Sequence, residues 1–246
     1  MVAEPVTTGR AEIAPLARPQ LSDKAATYVR GLIMSGQLRS GDGVRPETVG
    51  AALGISATPA REALQVLRVE GFLMVLPRQG FQVASLTGQD IRDLFQAQAL
   101  IAGELAARAA DDASDEQIGE LRALHHELIA AAARADHLQV EQKNHQFHRQ
   151  INLMAAAPKI VWVLKLLTRY VPHHFYAEIP GWLEATVEDH GQLVDGICGR
   201  DPARARAAMQ DHITHAGELL ATHFDQRTGT PHDSASHHAD GARGTP

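Results

Sequence analysis

The sequence has one cysteine and no long apolar run, and each shortage excludes a class of protein. Cys198 alone cannot form an internal disulfide, which is typical of chains from a reducing compartment. The best candidate for a membrane helix, Ile160 to Leu167, is interrupted by Lys165 and is far shorter than the roughly 20 apolar residues needed. Residues 1–15 lack the apolar core of a signal peptide. We therefore expect a cytoplasmic protein.

The composition is otherwise that of a globular chain with two unlike parts. With 246 residues, 44% hydrophobic and 21% charged, the chain is neither wholly disordered nor collagen-like, and it has room for two modest domains. The net charge is −6, but residues 1–86 carry nine Lys or Arg against seven Asp or Glu. A mildly basic front and an acidic rear indicate two parts with different functions.

Residues 20–86 have the pattern of a winged helix-turn-helix. Three helices are predicted, from Ser22 to Gly36, from Pro46 to Leu53, and from the Thr58-Pro59 start to Gly71. Two strands are predicted over Phe72 to Val75 and Phe81 to Ala84, with Pro77 to Gly80 as the hairpin tip. The 41–43 segment, Gly-Asp-Gly, is interpreted as a turn.

Residues 87–225 have the pattern of an antiparallel bundle of about six helices, so the fold class is mainly α. The predicted helices are Gly88 to Ala110, Ser114 to Ala135, His137 to Ala156, Lys159 to Val171, Trp182 to Cys198, and Asp201 to about Phe224. Thr87 with Asp90 and Ser114 with Gln117 are predicted capping pairs. Residues 1–19 are expected to form a flexible arm and residues 226–246 a disordered tail.

The stretch SATPAREALQVLRVEGFLMVLPRQGFQV, Ser56 to Val83, carries three motifs in a row: Ser-x-Thr-Pro-x-Arg-Glu-Ala-Leu, Leu-x-x-Glu-Gly and Pro-x-x-Gly. It resembles the signature of GntR-type bacterial transcription regulators. The helical remainder is similar to the FCD ligand-binding domain of the FadR branch, and the count of six helices is closer to its VanR-like subgroup. The resemblance implies a ligand-responsive regulator, more often a repressor than an activator. Such a protein binds DNA as a homodimer at a near-palindromic operator.

Three side chains of the third helix are candidates for reading DNA. Arg61, Gln65 and Arg68 lie at i, i+4 and i+7, opposite two leucines of the predicted core. Arg61 matches the arginine that the family uses to read bases. Ser56 and Thr58 are placed to hold a phosphate at the start of this helix.

Two departures from the family pattern weaken the expected backbone contacts. Ala57 stands where the family has arginine, and Glu47-Thr48-Val49 replaces an Arg-Glu-Leu run, for which Arg45 is a substitute. In the wing, Arg78 beside Gly80 is expected to enter the minor groove or meet the DNA backbone. With fewer basic contacts we expect weaker nonspecific binding and a shallower salt dependence.

Four residues resemble the ligands of metal-binding FCD domains. The motifs are Asn-x-x-Phe-His, Glu-Asp-His and Asp-Pro-x-x-Ala-x-x-x-Met-x-x-His, which give Asn144, His148, His190 and His212. Three imidazoles suit Zn, Ni, Mn or Fe. Asn144 stands where the family has Asp, so the affinity should fall and an anionic effector should be favoured. An empty polar pocket is the alternative.

The other histidines are given lesser roles. His145 and His215 are expected to shape the cavity around the metal. His125, His126, His173 and His174 are interpreted as structural, and His232, His237 and His238 as part of the tail.

The effector site departs from the family as well. Where FCD domains often have an arginine that holds a carboxylate, this chain has Gln98, which cannot neutralise a charge. Arg149 and Arg169 are candidates to compensate. A small organic acid or sugar acid is therefore a plausible effector rather than an implied one.

Two other interpretations stay open. One is a regulator whose sensor has degenerated, as the changes at Asn144 and Gln98 suggest. The other is a metal-dependent hydrolase or lyase, but no carboxylate is placed as a general base, because Asp189 and Asp211 adjoin two ligands and should face elsewhere. In the favoured interpretation the chain is no enzyme. Its effector draws the histidine-bearing helices together and shifts them against the linker at 86–88.

Overall fold

The computed structural model describes residues 19–171, 176 and 179–228, which contain nine α-helices and three β-strands. Residues 1–18 of the predicted arm, His173, His174, and all three histidines of the predicted tail lie outside the described residues. The first helix begins at Pro19, three residues before the predicted cap Ser22. The last helix continues to Thr228, past the predicted start of the tail at 226.

The N-terminal part is a winged helix-turn-helix, as predicted. Its elements are α1 (Pro19–Met34), β1 (Gly43–Val44), α2 (Pro46–Leu53), α3 (Ala57–Val69), β2 (Leu73–Leu76) and β3 (Gly80–Val83). The strands form an antiparallel sheet in the order β1-β3-β2. The segment predicted as a turn at 41–43 thus ends in a short strand, which pairs Val44 with Phe81.

A tight turn fixes α3 against α2. Gly54 ends α2 in the left-handed conformation at φ 66°, and a Cβ on Gly50 would lie 2.8 Å from the carbonyl oxygen of Ile55. Ser56, not Thr58, is the N-cap of α3, so Pro59 is the third helical residue. Proline is tolerated there because the first N–H groups of a helix have no partner within it.

The C-terminal part contains six helices among the described residues, as predicted. They are α4 (Gly88–Asp112), α5 (Asp115–Ala133), α6 (His137–Met154), α7 (Pro158–Thr168), α8 (Trp182–Cys198) and α9 (Pro202–Thr228). Both predicted capping pairs form complete capping boxes, Thr87 with Asp90 and Ser114 with Gln117. None of the helices in the described ranges is long and apolar enough to cross a membrane.

The two long helices α4 and α9 run antiparallel at close range. A Cβ on Gly103 of α4 would lie 2.7 Å from the Gln210 side chain, and one on Gly217 of α9 would lie 2.5 Å from Cβ of Phe95. The two glycines therefore set how closely the helices approach. This pair makes the most extensive contact in the bundle; α6, α7 and α8 also pack against α4, whereas α5 packs against α6 and α8.

One apolar cluster joins the N-terminal part to the bundle. Phe72, at the end of the turn after α3, stacks on Tyr170 with ring centroids 4.0 Å apart. Trp182 at the start of α8 and Phe224 near the end of α9 are buried in the same cluster. The N-terminal part and the bundle therefore share a core.

Polar contacts strengthen that junction along the end of α9. The backbone N–H of Gly88 donates to Asp225 at 2.9 Å, and Arg92 Nε donates to Glu218 at 2.7 Å. Arg227 Nε donates to the carbonyl oxygen of Ser35, at the end of α1, at 3.2 Å. The last two turns of α9 are thus fixed to the linker and to α1.

We predict that Gly217→Ala and Gly119→Ala change stability in opposite directions. The first should cost about 1–3 kcal/mol of unfolding free energy because its methyl group overlaps Phe95. Gly119 lies on an exposed helix face, and a Cβ added there would have no neighbouring atom within 4 Å. Gly119→Ala should therefore raise the unfolding free energy by about 0.5–1 kcal/mol. Denaturant midpoints of the full chain measure both, and a stabilised Gly217→Ala would contradict the packing.

Candidate functional site

Three histidines from three helices meet inside the bundle. They are His148 on α6, His190 on α8 and His212 on α9, and one ring nitrogen from each lies within 4.8 Å of the other two. The Nε2 atoms of His148 and His212 are 3.2 Å apart, and the rings of His190 and His212 have centroids 4.7 Å apart. The sequence motifs named these residues, and the fold brings their donor atoms together.

His190 is the most deeply buried member of the cluster. Its ring is fully buried and stacks on Phe147, with centroids 4.1 Å apart and planes 13° from parallel. Neither ring nitrogen has a hydrogen-bond partner among the described residues. Burial, helped by the neighbouring His212 and His148, holds the pKa of His190 well below its usual value. The ring is therefore a neutral imidazole with a lone pair to offer.

Asn144 lies one turn before His148 on the same face of α6. Its Oδ1 atom is buried and accepts no hydrogen bond within the described part of the chain. A buried acceptor without a donor costs about 1–3 kcal/mol. The unpartnered oxygen and the unpartnered His190 nitrogens are the pattern expected of residues that await a ligand.

The residue that sequence reasoning missed is Asp189. It was expected to face away from the site, but its Oδ2 atom lies 3.3 Å from Nδ1 of His212 and 3.3 Å from Nδ1 of His215. Burial raises the pKa of Asp189, but the hydrogen bond and charge of His212 outweigh it, with a smaller contribution from His215. The net pKa is lowered, so Asp189 is a carboxylate. This contact results from the packing of α8 against α9, which the sequence alone does not show.

The remaining histidines have mixed positions. The ring centroid of His125 lies 6.3 Å from that of His190, and burial lowers the pKa of His125. It lies beside Phe147 and His190, and its buried Nε2 has no hydrogen-bond partner among the described residues, so its structural role stays a prediction. His215 contacts the cluster through Asp189, as a residue shaping the site should, whereas His126 and His145 are exposed.

The three predicted effector residues lie on three different helices or helix ends. Gln98 is buried on α4, and Arg149 is exposed on α6 next to His148 in sequence. Arg169 lies elsewhere, in a groove of about 460 Å³ that it lines with Gln65 and Glu70 of the N-terminal part. Its position beside α3 gives no support to the effector role predicted for Arg169, which stays a prediction.

The DNA-reading candidates on α3 share one exposed face. Leu64 and Leu67 are fully buried in the core. On the other side, all three predicted base-reading residues are exposed: Arg61, Gln65 and Arg68. Arg61 lies 3.6 Å from Glu47, and both side chains are mostly exposed, so this ion pair is weak and easily exchanged for another partner.

The backbone-contact candidates surround that face. Ser56 is exposed and its side chain makes no capping hydrogen bond, while Thr58 and Arg45 are exposed nearby in sequence. At the wing tip, Arg78 (φ 64°) and Gly80 (φ 81°) both take the left-handed conformation that shapes the turn. All eight predicted DNA-contact residues are therefore open to solvent.

Comparisons with known proteins match a family model to each of the two parts of the chain. Residues 21–83 match the model of bacterial regulatory proteins of the gntR family, and residues 93–215 match that of the FCD domain. Together the two matches cover the winged helix and most of the bundle.

Individual relatives are similar along most of their length. The HTH-type transcriptional repressor GlaR of Escherichia coli is 24% identical over 76% of this chain and 89% of its own. A probable D-xylose utilization operon transcriptional repressor of Paenarthrobacter nicotinovorans is 26% identical over 84% and 91%. The solved structure of E. coli McbR/YncC has a TM-score of 0.62 at 21% identity, covering 82% of this chain and 97% of that one, and so shares the fold. The matched families are those of transcription regulators rather than enzymes.

Proposed function

The chain belongs to the gntR family of bacterial regulatory proteins with an FCD domain, and on that basis we propose that it is a cytoplasmic repressor controlled by a metal-assisted sensor. The observation that carries the proposal is the convergence of His148, His190 and His212. Membership of the two families supports DNA as the partner and a small molecule as the effector. The three histidines suggest how this chain would bind that effector.

We propose that α3 lies in the major groove with its exposed face toward the bases. The planar fork of Arg61 fits O6 and N7 of guanine, and its weak pairing with Glu47 costs little to break. Ser56, Thr58 and Arg45 would meet phosphates on one side of the groove and Arg78 on the other. The hydroxyl of Ser56 suits this role because it is not used in capping its own helix.

The donor set of the sensor fits a divalent ion. His148, His190 and His212 would hold it through neutral nitrogens, and Asn144 would add an amide oxygen. Such a donor set suits Zn, Ni, Mn or Fe. Of these four, Ni and Zn generally bind more tightly than Mn and Fe. When bound, the ion supplies positive charge and open coordination positions to an incoming oxygen ligand. None of the four donors carries a negative charge, so we propose a small carboxylate as the effector.

Two side chains remain candidates for the rest of the effector. Gln98 is buried on α4 and can exchange hydrogen bonds with a carboxylate or hydroxyl group. Arg149 follows His148 in the chain and is exposed, so it suits the entrance of the pocket. Both are proposals for the orientation of the effector, which the charge at the histidines would attract.

We propose that the effector acts on DNA binding through α8 and α9. His190 lies about 12 Å along α8 from Trp182, and His212 about 18 Å along α9 from Phe224. Both aromatic residues are buried in the core shared with the N-terminal part. Drawing α6, α8 and α9 together would therefore move the elements on which α3 rests, with the linker at 86–88 following.

The homodimer proposed for operator binding has support in the surface of α7. This helix is apolar on nearly all sides, yet Leu164 is its only buried member, while Trp162 is 59% exposed. A helix that is hydrophobic all round is normally covered. Leu166 shares a groove with Val66 and Val69 of α3, which extends the exposed apolar area, and Val163 is exposed as well. A second copy would cover this face and bring two winged helices to one palindromic site.

We predict that the full chain, freed of any tag and dialysed without chelator, retains about one divalent ion per chain by mass spectrometry. The His148→Ala variant should lose it, whereas the exposed His126→Ala should not. Absence of metal from the unmodified protein would support the metal-free sensor instead. Equal metal in the His148→Ala variant would show that the ion lies elsewhere.

We predict that selection from random duplex DNA recovers a near-palindromic site, and that Arg61→Ala weakens binding to that site by about 1–3 kcal/mol in fluorescence anisotropy. The discrimination between bases at one position of each half-site should fall as well. Arg108→Ala, an exposed arginine on α4, is the matched control. Unchanged affinity in the Arg61→Ala variant would remove Arg61 from the reading face.

We predict that Trp162→Glu converts a dimer into a monomer in sedimentation velocity, because it places a charge in the apolar face of α7. Leu138→Glu is the control, since Leu138 is 64% exposed at the start of α6. The control should remain dimeric and both variants should keep the helical circular dichroism of the parent. A dimeric Trp162→Glu variant would place the interface on another surface.

A further inference from the structure

We infer that Asp189 is the positioning residue of the histidine cluster: it orients His212 and supplies, from outside the donor set, the negative charge that Asn144 does not bring. The inference rests on the proposed metal site. It assigns a role to a residue that does not itself belong to the group of donor atoms.

The geometry places Asp189 and the cluster on opposite sides of one ring. Nδ1 of His212 lies 3.3 Å from Oδ2 of Asp189, and Nε2 of the same ring lies 3.2 Å from Nε2 of His148. A neutral imidazole carries its proton on one nitrogen and its lone pair on the other. A carboxylate only accepts hydrogen bonds, so it keeps the proton on Nδ1 and leaves the Nε2 lone pair facing the cluster.

A second histidine fixes the carboxylate. His215 lies three residues after His212 on α9, so both rings project from one face of the helix toward α8. The same oxygen of Asp189 is 3.3 Å from Nδ1 of His215, which is about half exposed, whereas the side chain of His212 is buried. Asp189 therefore lies between an inner and an outer imidazole, and His215 limits its movement.

The proposed donor atoms bring no negative charge to the site. The group of possible ligand atoms found among the described residues consists of three histidines and contains no carboxylate. The fourth candidate, Asn144, is a neutral amide. A carboxylate that accepts the outer N–H of a ligating histidine makes the ring a better donor, and removing such a partner costs about 10- to 100-fold in metal affinity.

A merely structural role must be separated from this one, because Asp189 also links α8 to α9. Asp189→Asn distinguishes the two, since the amide oxygen still accepts from Nδ1–H but brings no charge. Asp189→Ala removes both the acceptor and the charge. Asp211→Asn is the matched control, because Asp211 adjoins His212 in sequence and is exposed.

The test is a zinc titration of the full chain against a competing chelator. We expect the affinity to fall about 10- to 100-fold in Asp189→Ala, to fall less in Asp189→Asn, and to stay unchanged in Asp211→Asn. Adding Asn144→Asp to Asp189→Asn should restore affinity, because it returns a negative charge to the site by another route. Failure of that double variant to recover would overturn the charge part of the inference.

Nitrogen-detected NMR of His212 in the metal-free chain provides the second readout. We expect the proton on Nδ1 in the unmodified protein and in Asp189→Asn, and a mixture of tautomers in Asp189→Ala. If the unmodified chain binds no zinc, the proposed metal site fails, and the tautomer still reports on Asp189. If Asp189→Ala keeps both the tautomer and the zinc affinity, the inference is wrong.

Discussion

The burial of the His190 imidazole between three helices is the constraint on which the rest of the site depends. A polar ring removed from water needs hydrogen bonds or a ligand, and this one has neither among the described residues. Stacking on Phe147 stabilises the ring faces but leaves both nitrogens without partners. Burying these nitrogens without partners therefore destabilises the centre of the bundle, and a bound ion would remove that free-energy cost. Binding there would favour the arrangement in which α6, α8 and α9 are close together.

The spacing of α6, α8 and α9 can affect DNA binding because α8 and α9 extend into the core beneath the winged helix. The end of α9 is fixed to α1 through Arg227 and to the linker through Asp225. Phe72, which follows α3 in the chain, stacks on Tyr170 just after α7. The exposed face of α3 and the histidine cluster are thus connected through α8, α9 and the shared core rather than by the linker alone. Coupling of this kind requires that the effector bind the two arrangements with different affinity, on the order of 1–3 kcal/mol.

Local signals were enough to predict most of the fold. Capping pairs such as Thr87 with Asp90 fix where helices begin, and the alternation after Gly71 gives the wing. The strand at Gly43 is not predicted because two residues show no period, and the sequence favours Thr58 as the cap of α3 because a proline follows it. Family motifs predict the three histidines as metal ligands, and the fold brings their ring nitrogens together. The contact of Asp189 with His212 is not predicted, because contacts between helices depend on how those helices pack, which spacing along one helix does not reveal.

X-ray absorption of the metal-loaded full chain tests the central claim most directly, since it reports which atoms surround the ion. The account predicts a first shell with about three imidazole nitrogens, at 2.0–2.1 Å if the ion is zinc, completed by oxygen. The outer-ring scattering that marks histidine should diminish by one ring in the His190→Ala variant. A shell made of oxygen alone, or one that His190→Ala leaves unchanged, would contradict the assignment of this cluster as the sensor.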